Sequence, residues 1–390
     1  MVKRLPWRTL LAGAAGLALC LLFAHGRSTP YDNYTLFARG LLAGHLWIDW
    51  PGPYIDAVLF EGQRYIVNDP VPGLFMLPVV AIWKGAANQT LVACVFGGVA
   101  TAAAWRLARN LGCPALTADW LAAFMLAGTD LLWCAMLGDV WYFAHVACAT
   151  FLLLMLAELC GKQRPWLAVG FFALACGSRF SVVLSAPLVA YWCTYGLVAG
   201  RPDPRRLIVA LATAVPFAAL YVLYNEGRWH LPWDIGHTIF YHQDQYVGSA
   251  SGEPFGVQFL GFQLRSFFAQ IDVAGVRTAP YLVPGLNGQA LTITSPALAL
   301  AFFARGPRRA VVTLWIAVAL AAAPSFLYYV NGFIQFGMRH ALDFEPFLFA
   351  LMALAARERL RWWWNALIAW SLIVQCWGCW YWNAFYRPSY

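Results

Sequence analysis

Long apolar segments recur along the chain, separated by shorter polar segments in which arginines gather. A membrane-spanning helix needs about 20 mainly apolar residues, because each residue adds about 1.5 Å along the helix axis. The segments that fit are residues 6–25, 88–108, 115–137, 140–160, 165–180, 182–199, 207–226, 285–304, 309–329, 336–356 and 362–383. We therefore predict an all-α, polytopic membrane bundle of about eleven transmembrane helices, with residues 1–390 as a single transmembrane domain.

Two longer polar segments, residues 26–87 and 227–280, interrupt this pattern. The stretch YDNYTLFARGLLAGHLWI in the first places apolar residues at helical spacing beside polar ones, which favours an interfacial helix. Residues 71–83 are apolar but short and interrupted by proline, which favours a re-entrant or interfacial piece over a span. We thus expect interfacial helices in the first loop.

Composition supports a lipid environment. The chain is 61% hydrophobic and only 11% charged, too little polar surface for a soluble globule. Its apolar runs are long rather than alternating, which favours helices over a barrel. The ten cysteines lie mostly in apolar segments, so even the Cys376 and Cys379 pair is interpreted as core packing.

The net charge of +8 is divided among short basic clusters between the apolar segments. They are Arg106 with Arg109, Lys162 with Arg164, Arg201 with Arg205 and Arg206, Arg305 with Arg308 and Arg309, and Arg357 with Arg359 and Arg361. If residues 71–83 do not cross, all these clusters share one side, which the positive-inside rule makes the cytoplasm. This predicts a cytoplasmic N-terminus, an uncleaved first segment, extracytoplasmic loops at 26–87 and 227–280, and no nucleic-acid partner.

Two aspartates lie at predicted outer turns. Asp32 follows the first span, where it could cap the next helix or act as a general base or metal ligand. Asp139 lies between two spans in MLGDVWYFAHV, with His145 six residues further on. Carboxylates that converge from different elements favour an active site over two separate helix caps.

Cationic residues interrupt other apolar runs. Arg179 splits a long run at GSRF, which predicts a helical hairpin with a guanidinium at its outer tip, suited to bind phosphate or to reach lipid headgroups. Arg339, His340 and Asp343 open a later span, where they either bind an anionic group or cap the bundle. The second loop adds Arg265 and three histidines whose spacing fits no metal motif, namely His230, His237 and His242.

Several short motifs together carry a resemblance to a known superfamily. They are YDN at Asp32, GQRYIVNDPVPGLFMLP, WRLARNLG, the outer Asp139, GFFALACGSRF, GLNGQALTITSP and FGMRHALDFEPFL. In this order the chain resembles GT-C membrane glycosyltransferases, especially the branch with the lipid A aminoarabinose transferase and protein O-mannosyltransferases. Asn33 stands where mannosyltransferases typically have Glu, and Asp69-Pro70 replaces the Lys-Pro of the aminoarabinose transferases.

The resemblance implies an inverting glycosyltransferase of the bacterial inner membrane, acting on the extracytoplasmic side with a polyprenyl-phosphate sugar as donor and a lipid or glycan hydroxyl as acceptor. The expected catalytic residues are Asp32 as base and Asp139 as an orienting carboxylate. Donor phosphate would be held by Arg179, Arg339, Arg265 and His340. Further substrate contacts are expected from His145, Asp69, Tyr31 and Asn33.

The expected partners are this donor, the acceptor and membrane lipids. No cofactor is required, although a divalent cation between Asp32 and Asp139 stays open. A transporter or flippase of a lipid-linked sugar is the alternative, and a non-enzymatic scaffold is a third. The transferase hypothesis predicts that Asp32, Asp139, Arg179 and Arg339 converge on one cavity.

Overall fold

Helices make up most of the chain in the computed structural model, which describes residues 6–49, 56–198, 202–233, 236, 239–241, 253–358 and 360–386. The α-helices are α1 Pro6–Ala24, α2 Asn33–Leu42, α3 Val71–Trp83, α4 Gln89–Asn110, α5 Ala115–Ala127, α6 Leu131–Leu137, α7 Val140–Leu159, α8 Pro165–Cys176, α9 Ala186–Tyr195, α10 Pro204–Trp229, α11 Leu260–Ala269, α12 Leu291–Thr294, α13 Arg308–Phe326, α14 Glu345–Ala355 and α15 Trp362–Tyr381. His237 and His242 lie outside the described residues.

The helices include several of membrane length. In the described ranges α1, α4, α7, α10 and α13 are long and apolar enough to cross a bilayer. The pair α5 and α6, bent by 53° at its break, raises the number to six if it counts as one span. A multi-pass membrane protein is thus supported, whereas the predicted count of about eleven spans is not confirmed.

Several predicted spans are not single α-helices. Residues 115–137 are divided between α5 and α6, and residues 182–199 begin in a 3-10 helix over Phe180–Ser185 that precedes α9. Residues 285–304 contain only the four-residue α12 followed by a 3-10 helix over Pro296–Phe303. Gly288 has a φ of +85°, and Pro296 lacks a backbone donor, so neither favours a continuous α-helix. Residues 336–356 likewise begin with a 3-10 helix over Arg339–Asp343 before α14.

Two antiparallel hairpins lie within the polar loops, so the all-α prediction is wrong in this detail. Strands β1 Ala57–Phe60 and β2 Gln63–Ile66 pair across Glu61 and Gly62, which both have positive φ. Strands β3 Val273–Gly275 and β4 Leu282–Pro284 form the second hairpin. The first loop also holds α2 and the proline-containing α3, as its sequence pattern predicted.

Helix α7 lies at the centre of the bundle. Its apolar stretch is 89% buried, whereas that of α10 is 6% buried. Glycines bring α1 and α4 together, because a Cβ on Gly98 would lie 2.9 Å from the Gly13 carbonyl oxygen. Because α7 is enclosed, polar side chains on it must find protein partners.

Contacts bring together the ends of α4, α7 and α14, beside which basic clusters lie. Asn110 at the end of α4 donates to the Ala157 carbonyl near the end of α7 (2.8 Å). Cys113 lies 3.2 Å from the Ala353 carbonyl near the end of α14. Asp32 and Asp139 lie at the opposite ends of α1, α4 and α7. We call this end of the bundle the aspartate end.

Candidate active site at the aspartate end

Asp343 is the centre of a buried polar cluster. Its side chain is fully buried, and its carboxylate accepts hydrogen bonds from Ser181 Oγ (2.8 Å) and Arg179 Nη2 (3.1 Å). His145 Nδ1 lies 2.9 Å from the same carboxylate and donates to it, since a carboxylate can only accept. The 3-10 helix that carries Asp343 therefore joins α7 to the turn after α8.

Arg179 is held on one side and open on the other. Its Nε and Nη2 contact Asp343, and Nη2 also lies 3.4 Å from His340 Nδ1. Nη1 makes no hydrogen bond to any described residue, and the side chain is 26% exposed. The guanidinium is thus fixed in orientation by its carboxylate while one donor group stays accessible to an anion.

The first loop is docked against the turn that carries Arg179. Asp69 accepts from the Phe180 backbone N–H (2.8 Å) and from the Tyr221 hydroxyl. Burial raises the pKa of Asp69 above its ordinary value, while these two donors act in the opposite direction. Asp69 therefore positions the loop and the Arg179 turn relative to each other.

Helix α3 extends this contact to α2. The Val71 N–H donates to the Gly177 carbonyl (2.8 Å), and Gly73 faces the rings of Tyr34 and Phe37 on α2. A Cβ on Gly73 would lie 2.5 Å from the Phe37 ring, so glycine permits this close packing. The helix that Asp32 precedes is thus packed against the segment that contacts the Arg179 turn.

Gln89 joins the two aspartate turns. Its side chain is fully buried, and its Oε1 accepts from the Tyr34 N–H (3.1 Å). Its Nε2 donates to the carbonyls of Gly138 (2.7 Å) and Tyr31 (3.3 Å). The backbone on both sides of Asp32 and the backbone before Asp139 are therefore bound to one side chain.

Neither aspartate acts as a conventional side-chain helix cap. Asp32 precedes α2 but makes no capping hydrogen bond to that helix, and its carboxylate forms no ion pair with a described residue. Burial raises the pKa of Asp32, and nearby Arg39 counters part of that rise. Asp139 accepts from the Thr29 hydroxyl instead of capping α7.

Arg339 lies beside the start of α7. Its guanidinium carbon is 5.3 Å from the centre of the Tyr142 ring, one helical turn after Asp139. Its Nη1 donates to the Phe333 carbonyl (3.0 Å), and the Tyr142 hydroxyl donates to the Ile334 carbonyl. Arg339 is therefore connected to the Asp139 turn through Tyr142.

Some predicted site residues are placed differently from expectation. His145 and Asn33 are 1% and 0% exposed, so neither side chain offers surface to a substrate in this structure. Arg265 has no hydrogen bond or ion pair to any described residue and lines a different cavity, described below. Tyr31 is partly exposed and packs on Trp141, with ring centres 4.9 Å apart.

Sequence reasoning missed how three residues would connect the site. Asp343 was noted only as part of a helix start, whereas Ser181 and Gln89 received no role. The sequence does give one signal for Gln89, because a polar residue at the edge of an apolar run needs a hydrogen-bonding partner at membrane depth. Within the described residues no group of three or more His, Cys, Asp or Glu side chains could hold a metal ion.

Two solved structures of the oligosaccharyltransferase from the archaeon Archaeoglobus fulgidus are similar to this chain. One is in the apo form, and the other, AglB, is in complex with an inhibitory peptide and a dolichol-phosphate. Their TM-scores are 0.46 and 0.45, each at 14% sequence identity, over 96% of this chain.

The extent of this likeness is limited. The chain spans 56% and 55% of the length of those two proteins. At this identity and these TM-scores, the likeness carries no argument about donor, acceptor or site residues. No protein-family profile matches the chain, and no curated protein sequence matches it.

Proposed function

We propose that the chain is an inverting glycosyltransferase that moves a sugar from a polyprenyl-phosphate donor to a hydroxyl acceptor. In this proposal the protein belongs to the bacterial inner membrane, its N-terminus is cytoplasmic, and the aspartate end faces away from the cytoplasm. The loops at residues 26–87 and 227–280 then lie on that extracytoplasmic side.

The observation that carries the proposal is the state of Arg179. Asp343 fixes its Nε and Nη2, while Nη1 is accessible and has no described partner. A guanidinium arranged in this way suits the phosphate of a lipid-linked donor, whose negative charge increases as the bond to the sugar breaks. His340 lies beside it, within 3.4 Å of Nη2.

Asp32 supplies the base in this mechanism. Its carboxylate is partly exposed and forms no ion pair with a described residue, and its raised pKa makes it a better proton acceptor than an ordinary aspartate. Asp32 takes the proton of the acceptor hydroxyl as that oxygen attacks the anomeric carbon. The bond from this carbon to the phosphate oxygen breaks, and polyprenyl phosphate leaves with the bonding electrons.

The remaining residues position these groups. Asp139, whose turn is joined to the Asp32 turn through the Gln89 bonds, orients a substrate sugar. Arg339 provides a second positive charge beside Tyr142, one helical turn further on. His145 holds Asp343 and thereby Arg179, rather than contacting substrate. A single displacement of this kind inverts the anomeric configuration.

The test uses purified full-length protein in lipid nanodiscs with a panel of labelled polyprenyl phosphate sugars and a bacterial envelope fraction as the acceptor source. We expect release of polyprenyl phosphate from at least one donor and formation of a product whose anomeric configuration is inverted. We expect Asp32→Asn to reduce this release by a factor of about 100 or more, as loss of a general base does.

The matched control is Asp49→Asn, which removes an exposed carboxylate from the same loop. It should retain the turnover of the unmodified protein. Equal turnover by Asp32→Asn and Asp49→Asn would refute the role of Asp32, and no donor consumption across the panel would refute the transferase proposal.

A further inference from the structure

A cavity separate from the Asp343 cluster is lined by residues 330–333, a few residues before Arg339. Its volume is about 810 Å³, within the range of about 300–1,000 Å³ typical of small-molecule sites. Its walls come from α11, from the chain leading into β3, and from residues 330–333. These elements bring together parts of the chain that are far apart in sequence.

Three polar side chains in this cavity are without partners. Arg265, Asp272 and Asn287 all line it, and none of their side chains makes a hydrogen bond or ion pair to a described residue. By contrast, Asn331 and Gln270 in the same wall bond to the Asn287 carbonyl and fix the wall itself. The cavity therefore presents a guanidinium, a carboxylate and an amide on a wall whose backbone is held by hydrogen bonds.

This combination favours a neutral ligand rich in hydroxyl groups. Hydroxyls donate to a carboxylate and accept from a guanidinium or amide, so one polyol can satisfy all three side chains. A phosphate would meet repulsion from Asp272. The rings of Phe262 and Phe333, which are 47% and 58% exposed, add apolar surface for the carbon face of a sugar.

The cavity is adjacent to the proposed catalytic groups. Phe333, one of its lining residues, accepts a hydrogen bond from Arg339 Nη1. The next residue, Ile334, accepts from the Tyr142 hydroxyl at the start of α7. Residues 333 and 334 thus connect the wall of the cavity to Arg339 and to the start of α7.

We propose that this cavity binds the acceptor and that the acceptor is a saccharide, held by Arg265, Asp272 and Asn287. The acceptor assignment rests on the proposed transferase function, whereas saccharide binding does not require turnover. Arg265 is accordingly a ligand of the acceptor and not of the donor phosphate.

The experiment measures binding without a donor. Labelled full-length protein in detergent is applied to an array of neutral and anionic glycans, and affinities for the retained glycans are then measured in solution. We expect retention of neutral saccharides, with affinity reduced about tenfold in Asp272→Asn and in Asn287→Ala, because each loses one hydrogen bond to the ligand. Asp49→Asn should bind as the unmodified protein does.

Folding is checked by size-exclusion chromatography, and these substitutions remove no described hydrogen bond. The proposal would be overturned if the unmodified protein retained no glycan more strongly than the Asp272→Asn, Asn287→Ala double variant does. Competition of the bound glycan by inorganic phosphate or by polyprenyl phosphate at similar potency would also overturn it, since the cavity would then be a donor site. Saccharide binding by a protein that transfers no sugar would preserve the cavity assignment while refuting the transferase function.

Discussion

Replacement of Asp343 by Asn tests the central cluster most directly. Asparagine keeps the shape of the side chain but removes the negative charge and turns one acceptor oxygen into a donor group. Arg179 would lose its counter-ion while it remains 26% exposed, and Ser181 or His145 would face an amide donor. Loss of one partner of a buried ion pair costs about 3–5 kcal/mol, and we expect about 3 kcal/mol because Arg179 is partly exposed.

The measurement is the free energy of unfolding in mixed detergent micelles, followed by circular dichroism. Glu158→Gln serves as the matched control, because Glu158 also pairs with an arginine, Arg164, whose side chain is 41% exposed. Breaking that pair should cost less than breaking the Asp343 pair, because its arginine is more exposed to water.

A double variant separates the ion pair from the other bonds. Arg179→Gln combined with Asp343→Asn removes both charges, so its cost should be smaller than the sum of the two single costs by about 3 kcal/mol. Simple additivity, or a cost for Asp343→Asn no larger than that for Glu158→Gln, would refute the interpretation of Asp343 as the counter-ion that holds Arg179.

Three further predictions concern the two aspartate turns. Burial raises the pKa of Asp32, and only the ionised carboxylate accepts a proton, so kcat/KM should fall on the acid side at a higher pH than for an ordinary aspartate. Arg39→Gln should move that fall to still higher pH, because the charge of Arg39 lowers the pKa of Asp32. Gln89→Leu should lower kcat at least tenfold while the protein still elutes as a monodisperse peak, since buried carbonyls and N–H groups around both turns lose their partner; unchanged kcat would contradict this. Gly138→Ala should lower the unfolding free energy by more than about 2 kcal/mol, because Gly138 has a φ of +68° and a Cβ there would lie 2.5 Å from the Thr90 Cα; thermal unfolding in detergent checks it, and an unchanged midpoint would count against the tight turn.

The membrane character of the protein follows from the sequence alone. Apolar runs of bilayer length require internally bonded helices, and this constraint acts on each segment separately. The same holds for the break at Arg179, which the sequence predicts and which lies between α8 and the 3-10 helix that precedes α9. The sequence did not predict the two short β-hairpins, because strands of three or four residues are too short to show a detectable alternation of apolar and polar residues.

Side-chain partners, by contrast, depend on tertiary structure. Nothing in the sequence indicates that Asp343 contacts both Arg179 and His145, which are 164 and 198 positions away. Hydropathy shows only that a charged residue at membrane depth needs a partner, not which one.

Asp32 illustrates the same division between sequence and fold. Its position before a helix allowed either a cap or a free carboxylate, and only the backbone geometry leaves the side chain without a capping bond. Likewise, the position of Arg265 in the second loop could not distinguish a phosphate ligand from a residue that lines another cavity. The sequence determined the membrane character of the chain because burial in lipid is a local requirement, whereas tertiary structure decided which segments are continuous helices and which side chains meet at the site, because those bonds join residues that only packing brings together.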